Sequence, residues 1–281
     1  MKGFDYIKAT TLEEATELLA KCPETKVLVG GTDLLIRLKE GRVQAPQVLD
    51  LKGISGLREI EMTPDGLSIG AATPLVSIIH HPQVMRDYPM LAEACHTIGS
   101  VQIRNRASIG GNLCNASPLA DSAPALLAYE AKLEIVGKQG IRTVAVEEFF
   151  RGPGQTVLEP GELLVRIRLP KPPAGRGTYI KHARRKAVDL ASVGVAVFGW
   201  TEQGKRQCRI ALGAVAPTPI RATEAERIIE GGGSFEEAAQ AARDASRPIS
   251  DLRSSKEYRE EMVTVHVRRA LEHVFSQNSG H

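Results

Sequence analysis

The chain has 281 residues, 42% hydrophobic and 25% charged, with a formal net charge of +3. This is ordinary globular composition in a chain long enough for two domains. It excludes a phosphate-tracking nucleic-acid binder, because the densest basic cluster, Arg184-Arg185-Lys186, is short and the other basic residues are dispersed. In chain order, Thr11-Leu-Glu-Glu14 reads as a capping box opening a helix with Leu12, Ala15, Leu18 and Leu19 on one face. Lys26–Val29 reads as a buried strand that runs into Gly30-Gly31-Thr32-Asp33. A helix over Leu34–Lys39 follows, with Gly41 as its stop. Val48–Leu51 is a second short strand, closing a small α/β unit.

The pattern restarts near Ile54. Leu67–Gly70 is strand-like, and residues 74–80 and 84–98 read as helices broken by Pro82 and Pro89. Ala123–Tyr129 reads as a short helix, and Lys132–Val136 with Ile141–Val146 as a hairpin around Lys138-Gln-Gly140. Glu162–Leu169 alternates with period two, which places Leu163, Val165, Ile167 and Leu169 on one face of a strand. The stretch from Pro170 to Gly177, dense in proline and glycine, marks a domain boundary. Beyond it, strands over Val193–Trp200 and Arg206–Val215 are followed by three helices. Two of these carry capping boxes, Ser234-x-x-Glu237 and Ser254-x-x-Glu257.

No cluster of catalytic or metal-ligating type is evident, so no catalytic residue and no metal site is assigned. Cys22, Cys95, Cys114 and Cys208 form no C-x-x-C pair, and the histidines form no H-x-x-x-H pair. The first 15 residues lack the apolar segment of a signal peptide. No run approaches the ~20 apolar residues of a membrane span. A cytoplasmic chain with reduced thiols is the expectation.

Two stretches share a logic: Val29-Gly-Gly-Thr-Asp33 and Ser108-Ile-Gly-Gly-Asn112. Adjacent glycines admit positive φ and leave no Cβ in the way, so successive amides can form an anion-binding nest. The first loop runs directly into a helix, whose N-terminal dipole adds to the effect. Two such nests suit a diphosphate. Asn112 adds an amide donor, and Asp121 is an acceptor for sugar or ribityl hydroxyls. Taken singly, a double glycine is a turn, Asp121 is a helix N-cap, and Cys114 is a small packing residue. Neither G-x-G-x-x-G nor a Walker A motif occurs, so any dinucleotide is not held in Rossmann or P-loop fashion.

VGGTDLL (29–35) and SIGGN (108–112), with Asp121 nine residues further on, resemble the FAD-binding medium subunit of molybdenum hydroxylases. That family includes xanthine, carbon monoxide and nicotinate dehydrogenases and 4-hydroxybenzoyl-CoA reductase. The resemblance extends through IGSVQIRNRASIGGN (98–112), FFRGPGQTVLEPGELLV (149–165), YIKHARRK (179–186), GAVAPTPIRA (213–222) and SSKEYR (254–259), and is closest to the bacterial xanthine dehydrogenase branch. It implies an α+β fold: a two-subdomain FAD-binding domain of the vanillyl-alcohol oxidase (PCMH) type over 1–175, divided near residue 53. A C-terminal domain over 176–281 follows, a three-stranded antiparallel sheet flanked by helices.

The resemblance also implies residue roles. Val27, Leu28, Val29, Gly30, Gly31, Thr32, Asp33 and Leu34 line FAD, with the glycine amides on the pyrophosphate. Ser108, Ile109, Gly110, Gly111 and Asn112 form a second cradle, and Asp121 is an acidic FAD ligand. Ile98 packs near the cofactor, and Leu164 and Lys181 reach the flavin. A cation at Lys181 favours the anionic reduced flavin by simple electrostatics. Ala187-Val188 stand where animal members carry an additional acid. By the same resemblance, a large partner subunit holds the molybdenum cofactor and a small one holds [2Fe–2S] clusters. Electrons pass through FAD to NAD⁺. A quinone acceptor, or a flavin-free scaffold, is the rival reading; the absence of an added cysteine cluster weighs against the 4-hydroxybenzoyl-CoA reductase branch.

Overall fold

The computed structural model describes residues 2–276. The chain opens with strand β1 (Asp5–Lys8), helix α1 (Leu12–Lys21), β2 (Lys26–Leu28), α2 (Leu34–Lys39) and β3 (Gln47–Asp50). The three strands form a parallel sheet in the order β1-β3-β2. Thr11 caps α1 by accepting from the Glu14 N–H, but Glu14 reaches back one residue further than a capping box requires, to the Thr10 N–H at 2.8 Å.

The second unit begins with β4 (Ile60–Thr63) and β5 (Gly66–Gly70), then α3 (Leu75–Ile79), α4 (Pro82–Asp87), α5 (Pro89–His96), α6 (Val101–Arg104), α7 (Ile109–Cys114) and α8 (Ser122–Ala128). Pro82 and Pro89 do not break helices; each occupies the first position of one, where its missing N–H has no partner to lose. It continues through β6 (Lys132–Gly137), β7 (Gly140–Ala145), α9 (Val146–Phe149), and the short pair β8 (Phe150–Gly152) and β9 (Gln155–Thr156), to β10 (Leu163–Pro170). An antiparallel sheet results, ordered β4-β5-β10-β6-β7.

The central strand β10 does not keep the strict alternation expected of it. A bulge against β6 falls between Leu164 and Arg166. The extra residue exchanges faces. Leu163 and Val165 pack with Leu49, Leu51 and Leu57 on the first unit's side. Leu164, Ile167 and Leu169 join the large core beneath α3–α8.

The C-terminal unit has β11 (Gly175–His182), β12 (Val193–Glu202), β13 (Lys205–Gly213), β14 (Ile220–Arg221), α10 (Thr223–Glu230), α11 (Phe235–Ala245) and α12 (Lys256–Phe275). Its antiparallel sheet has the three long strands expected plus the two-residue β14. The alternation of β12 and β13 gives each face a different core. Val193, Val195, Val197, Ile210 and Leu212 pack under α10–α12. Tyr179, Ala196, Phe198 and Ala211 enter the core of the second unit. Ser234 and Glu237 form the full capping box on α11. On α12 the cap is Ser255, one residue after the predicted Ser254, with its hydroxyl accepting from the Tyr258 N–H.

Candidate functional site

Strand β2 delivers the chain into the first double-glycine loop. Successive strand side chains point to opposite faces, so Val27 and Val29 line a cavity while Leu28 turns away to pack with Leu38 and Val48. Gly31 has φ +75°, a backbone conformation that a side chain would strain. A Cβ on Gly30 would stand 2.1 Å from the Arg106 carbonyl oxygen, so the loop lies directly against the segment that leads to Ser108. Among the described residues, the N–H groups of Gly30, Gly31, Thr32 and Asp33 meet no protein acceptor. Such a run of unengaged amides satisfies itself on an anion or on water.

The second double glycine is built differently. It is the first turn of α7, with Ser108 as the cap, and neither glycine has positive φ. Its amides are spent inside the protein. Ile109 donates to Thr73 O at 3.1 Å, Gly110 to Ala71 O at 2.9 Å and Asn112 to Ser108 O at 3.0 Å. Gly111 donates to the Ser108 hydroxyl at 3.2 Å. A second amide nest is therefore absent here. Gly110 is glycine because a Cβ would lie 2.5 Å from the Ala71 carbonyl oxygen. What this turn offers is a smooth wall and Asn112. The Asn112 Oδ1 accepts from the Ser122 hydroxyl at 2.6 Å, which leaves its amide NH₂ for a ligand.

The two loops meet across a cavity of about 420 Å³, within the range of cofactor sites. Of the residues assigned to the cofactor by resemblance, Val27, Val29–Leu34, Ile98, Ser108, Gly110–Asn112 and Leu164 are brought together in its lining. Leu28 and Ile109 do not line it; both are core residues. The floor comes from residues that the sequence reading did not single out: Leu57, Ala71, Ala72 and Leu163. The pair of alanines directly after β5 was the available signal, since small side chains there make room without a turn. Lys26 and Arg37 also line it, as do Gly154 and Leu158 from the stretch around β8–β9. Cys114 is no packing residue, for it is exposed and lines the cavity.

Asp121 and Lys181 are brought together, but outside the lining. The Lys181 ammonium lies 2.9 Å from one Asp121 carboxylate oxygen and donates to the Thr97 carbonyl at 3.0 Å. The Tyr179 hydroxyl donates to the other oxygen at 2.7 Å. Asp121 is no side-chain cap of α8. Burial pushes its carboxyl above the usual range, against the pull of Lys181 and Tyr179. The pair sits behind Ile98, one residue past Thr97, and joins the C-terminal sheet to the cavity wall.

A loop of free backbone amides facing a small-residue wall, with an apolar floor, is a dinucleotide-type cradle built without a Rossmann turn. The chain belongs to the FAD-binding medium subunits of molybdenum hydroxylases. Residues 2–172 match the FAD binding domain in molybdopterin dehydrogenase, and 178–274 the CO dehydrogenase flavoprotein C-terminal domain. The chain is 35% identical to the xanthine dehydrogenase FAD-binding subunit of Escherichia coli O157:H7, over 98% of this chain and 97% of that one. It is equally, 35%, identical to the carbon monoxide dehydrogenase medium chain of Hydrogenophaga pseudoflava, over 95% and 96%. A solved structure of carbon monoxide dehydrogenase from that organism, lacking the Mo-pyranopterin moiety, superposes with a TM-score of 0.93 at 35% identity, over 98% of both chains. No helix among the described residues is long and apolar enough to cross a membrane.

Proposed function

We propose that the chain is the FAD-bearing electron-transfer subunit of a xanthine dehydrogenase-like complex. It receives electrons from [2Fe–2S] clusters on a small partner and serves a large partner that carries the molybdenum cofactor. NAD⁺ is the final acceptor. The observation that carries this reading is the run of unengaged amides at Gly30–Asp33, opposite Asn112, in a cavity of cofactor size.

The residues present fit the cofactor. The four amides would hold the diphosphate, and the Asn112 NH₂ would add a fifth donor. Leu57, Leu163 and Leu164 would give a flat ring system apolar contact and keep water from it. Bound flavin supplies the exchange between single electrons and a hydride; the protein supplies position and field. Lys181 and Asp121 form a nearly neutral pair just behind this wall. Each Asp121 oxygen accepts one bond from the protein, which leaves each a further lone pair for a cofactor hydroxyl.

The reading is tested on the complex purified with its partners. Anaerobic purine should bleach the flavin, and added NAD⁺ should restore its colour with stoichiometric NADH. Flavin bleached by substrate but reoxidised only by a quinone assigns the acceptor to the rival reading, which the equal 35% identity to the carbon monoxide dehydrogenase medium chain keeps as the second one. A colourless chain that releases no FAD on denaturation overturns the cofactor itself.

A further inference from the structure

The stretch IGSVQIRNR (98–106) runs along the cavity, and the cofactor reading above uses only its first residue. Ile103 lines the cavity together with Ile98. Helix α6, which carries Ile103, has no buried residue and leaves Val101 59% exposed.

The stretch is tied to the fold at its two ends and otherwise only to itself. Ahead of it, the Lys181 ammonium holds the Thr97 carbonyl at 3.0 Å, and the Ile98 N–H donates to Cys95 O at 3.2 Å. Behind it, the Ala107 carbonyl accepts from the Leu75 N–H at 2.9 Å, and Arg106 lies against Gly30. Ile98 and Ala107 pack on the large core, whereas Ile103 joins no hydrophobic cluster among the described residues. From Gly99 to Arg106, again among the described residues, every hydrogen bond closes within 98–107. A segment with little buried surface and no bonds to its surroundings opens at low free-energy cost. Lids over ligand sites are of this kind and turn about a few residues at the ends of elements.

The bonds that resist opening come from Arg104. Its Nη1 donates to Ile98 O at 3.1 Å and to Gly99 O at 3.3 Å, so its charge is spent on the backbone of its own stretch. Ile98 stands on the anchored side and Arg104 on the free side of Gly99. Gly99 has φ +53°, which suits it to a turn that changes conformation. A Cβ there would lie 2.8 Å from Ile103 Cγ2, so glycine is what lets the turn close over Ile103.

We propose that residues 99–106 are a strap that swings away to admit and release the dinucleotide, turning about Gly99 and Arg106, with Arg104 as its latch. Swinging about Gly99 parts Arg104 from the Ile98 carbonyl, and closing brings Ile103 back to the cavity. The proposal rests on the cofactor reading above, since that reading fills the cavity with FAD.

The test is kinetic and uses the full chain. Association is followed by mixing the stripped chain with FAD, and release by exchange of radiolabelled FAD against an excess of unlabelled FAD. The latch bonds lie inside the strap, so their loss frees it equally with and without flavin. Arg104→Met should therefore raise both rates about tenfold, the lower end for one hydrogen bond from a charged donor, and leave Kd nearly unchanged. Arg104→Lys, still able to reach one carbonyl, should fall between. Gly99→Ala, which strains the closed turn, should also speed both rates, and it carries the test if Arg104→Met does not fold. Faster release with unchanged association makes Arg104 a plain binding contact and overturns the proposal. Wild-type rates in these variants overturn it too, while leaving the cofactor reading intact. A wild-type chain that binds no FAD overturns that reading and the strap with it.

Discussion

The two double-glycine loops are near copies in sequence and opposites in construction. At 29–33 the chain leaves a strand, takes positive φ at Gly31 and keeps four amides free. At 108–112 it is a helical turn whose amides are consumed by Thr73, Ala71 and Ser108. Glycine therefore serves two ends here. In one loop it shapes a binding backbone; in the other it lets a helix lie on Ala71 at a distance no side chain permits.

The largest expected effect tests how the second loop is tied to the rest of the protein. Asn112 bonds Ser122, next to Asp121, and Asp121 bonds Lys181. Lys181→Met strands a buried carboxylate and should destabilise the fold by about 3–5 kcal/mol at neutral pH. The sign with pH is fixed by Asp121, whose folded carboxyl already sits above its ordinary value. A folded state that keeps its proton where the unfolded chain has lost it gains stability as pH falls. Urea unfolding of the variant should thus show the deficit shrinking from pH 7 toward pH 5. A deficit that grows on acidification would contradict the buried-pair account.

Gly110→Ala comes next. With the Ala71 carbonyl 2.5 Å from the new Cβ, overpacking should cost about 1–3 kcal/mol. It should appear as a lowered Tm of the chain stripped of FAD. A Tm drop seen only when FAD is present would mean that Gly110 serves the cofactor after all.

Asn112→Asp keeps an acceptor for Ser122 but sets a carboxylate beside the diphosphate. FAD affinity should fall by about 2 kcal/mol, roughly 30-fold, with unfolding of the stripped chain little changed. Fluorescence titration with FAD measures it, and unaltered affinity would remove Asn112 from the cradle.

Gly111→Ala should be the mildest. Its Cβ would meet only the Ser108 hydroxyl, at 2.9 Å, and alanine suits a helical turn better than glycine, by up to ~1 kcal/mol. Stability should therefore stay within about 0.5 kcal/mol of wild type, while flavin retention drops several-fold because the methyl group enters the cavity. If Gly110→Ala and Gly111→Ala behaved alike, the distinction between a packing glycine and a lining glycine would fail.

Much of this arrangement was legible beforehand. Strands β2, β5, β6, β12 and β13, helices α1, α2 and α11 and the loop at 29–33 follow from turn residues and periodicity, whereas β1, β4, α6 and β11 were not read. The misreadings have two causes. The bulge in β10 and the bonded amides of the second loop depend on neighbours distant in sequence, whereas the helix-starting prolines and the caps displaced by one residue are local signals read one step off.

By itself, then, the sequence determined the local conformations, because φ preferences, caps and side-chain periods act over a few residues. It also determined the family. Only the tertiary structure decided what those conformations are for. Whether an amide is free for a ligand or already bonded, and whether a missing Cβ makes room for a cofactor or for Ala71, depends on which backbone lies opposite. The same holds for Asp121, whose charge is met from β11, 60 residues away.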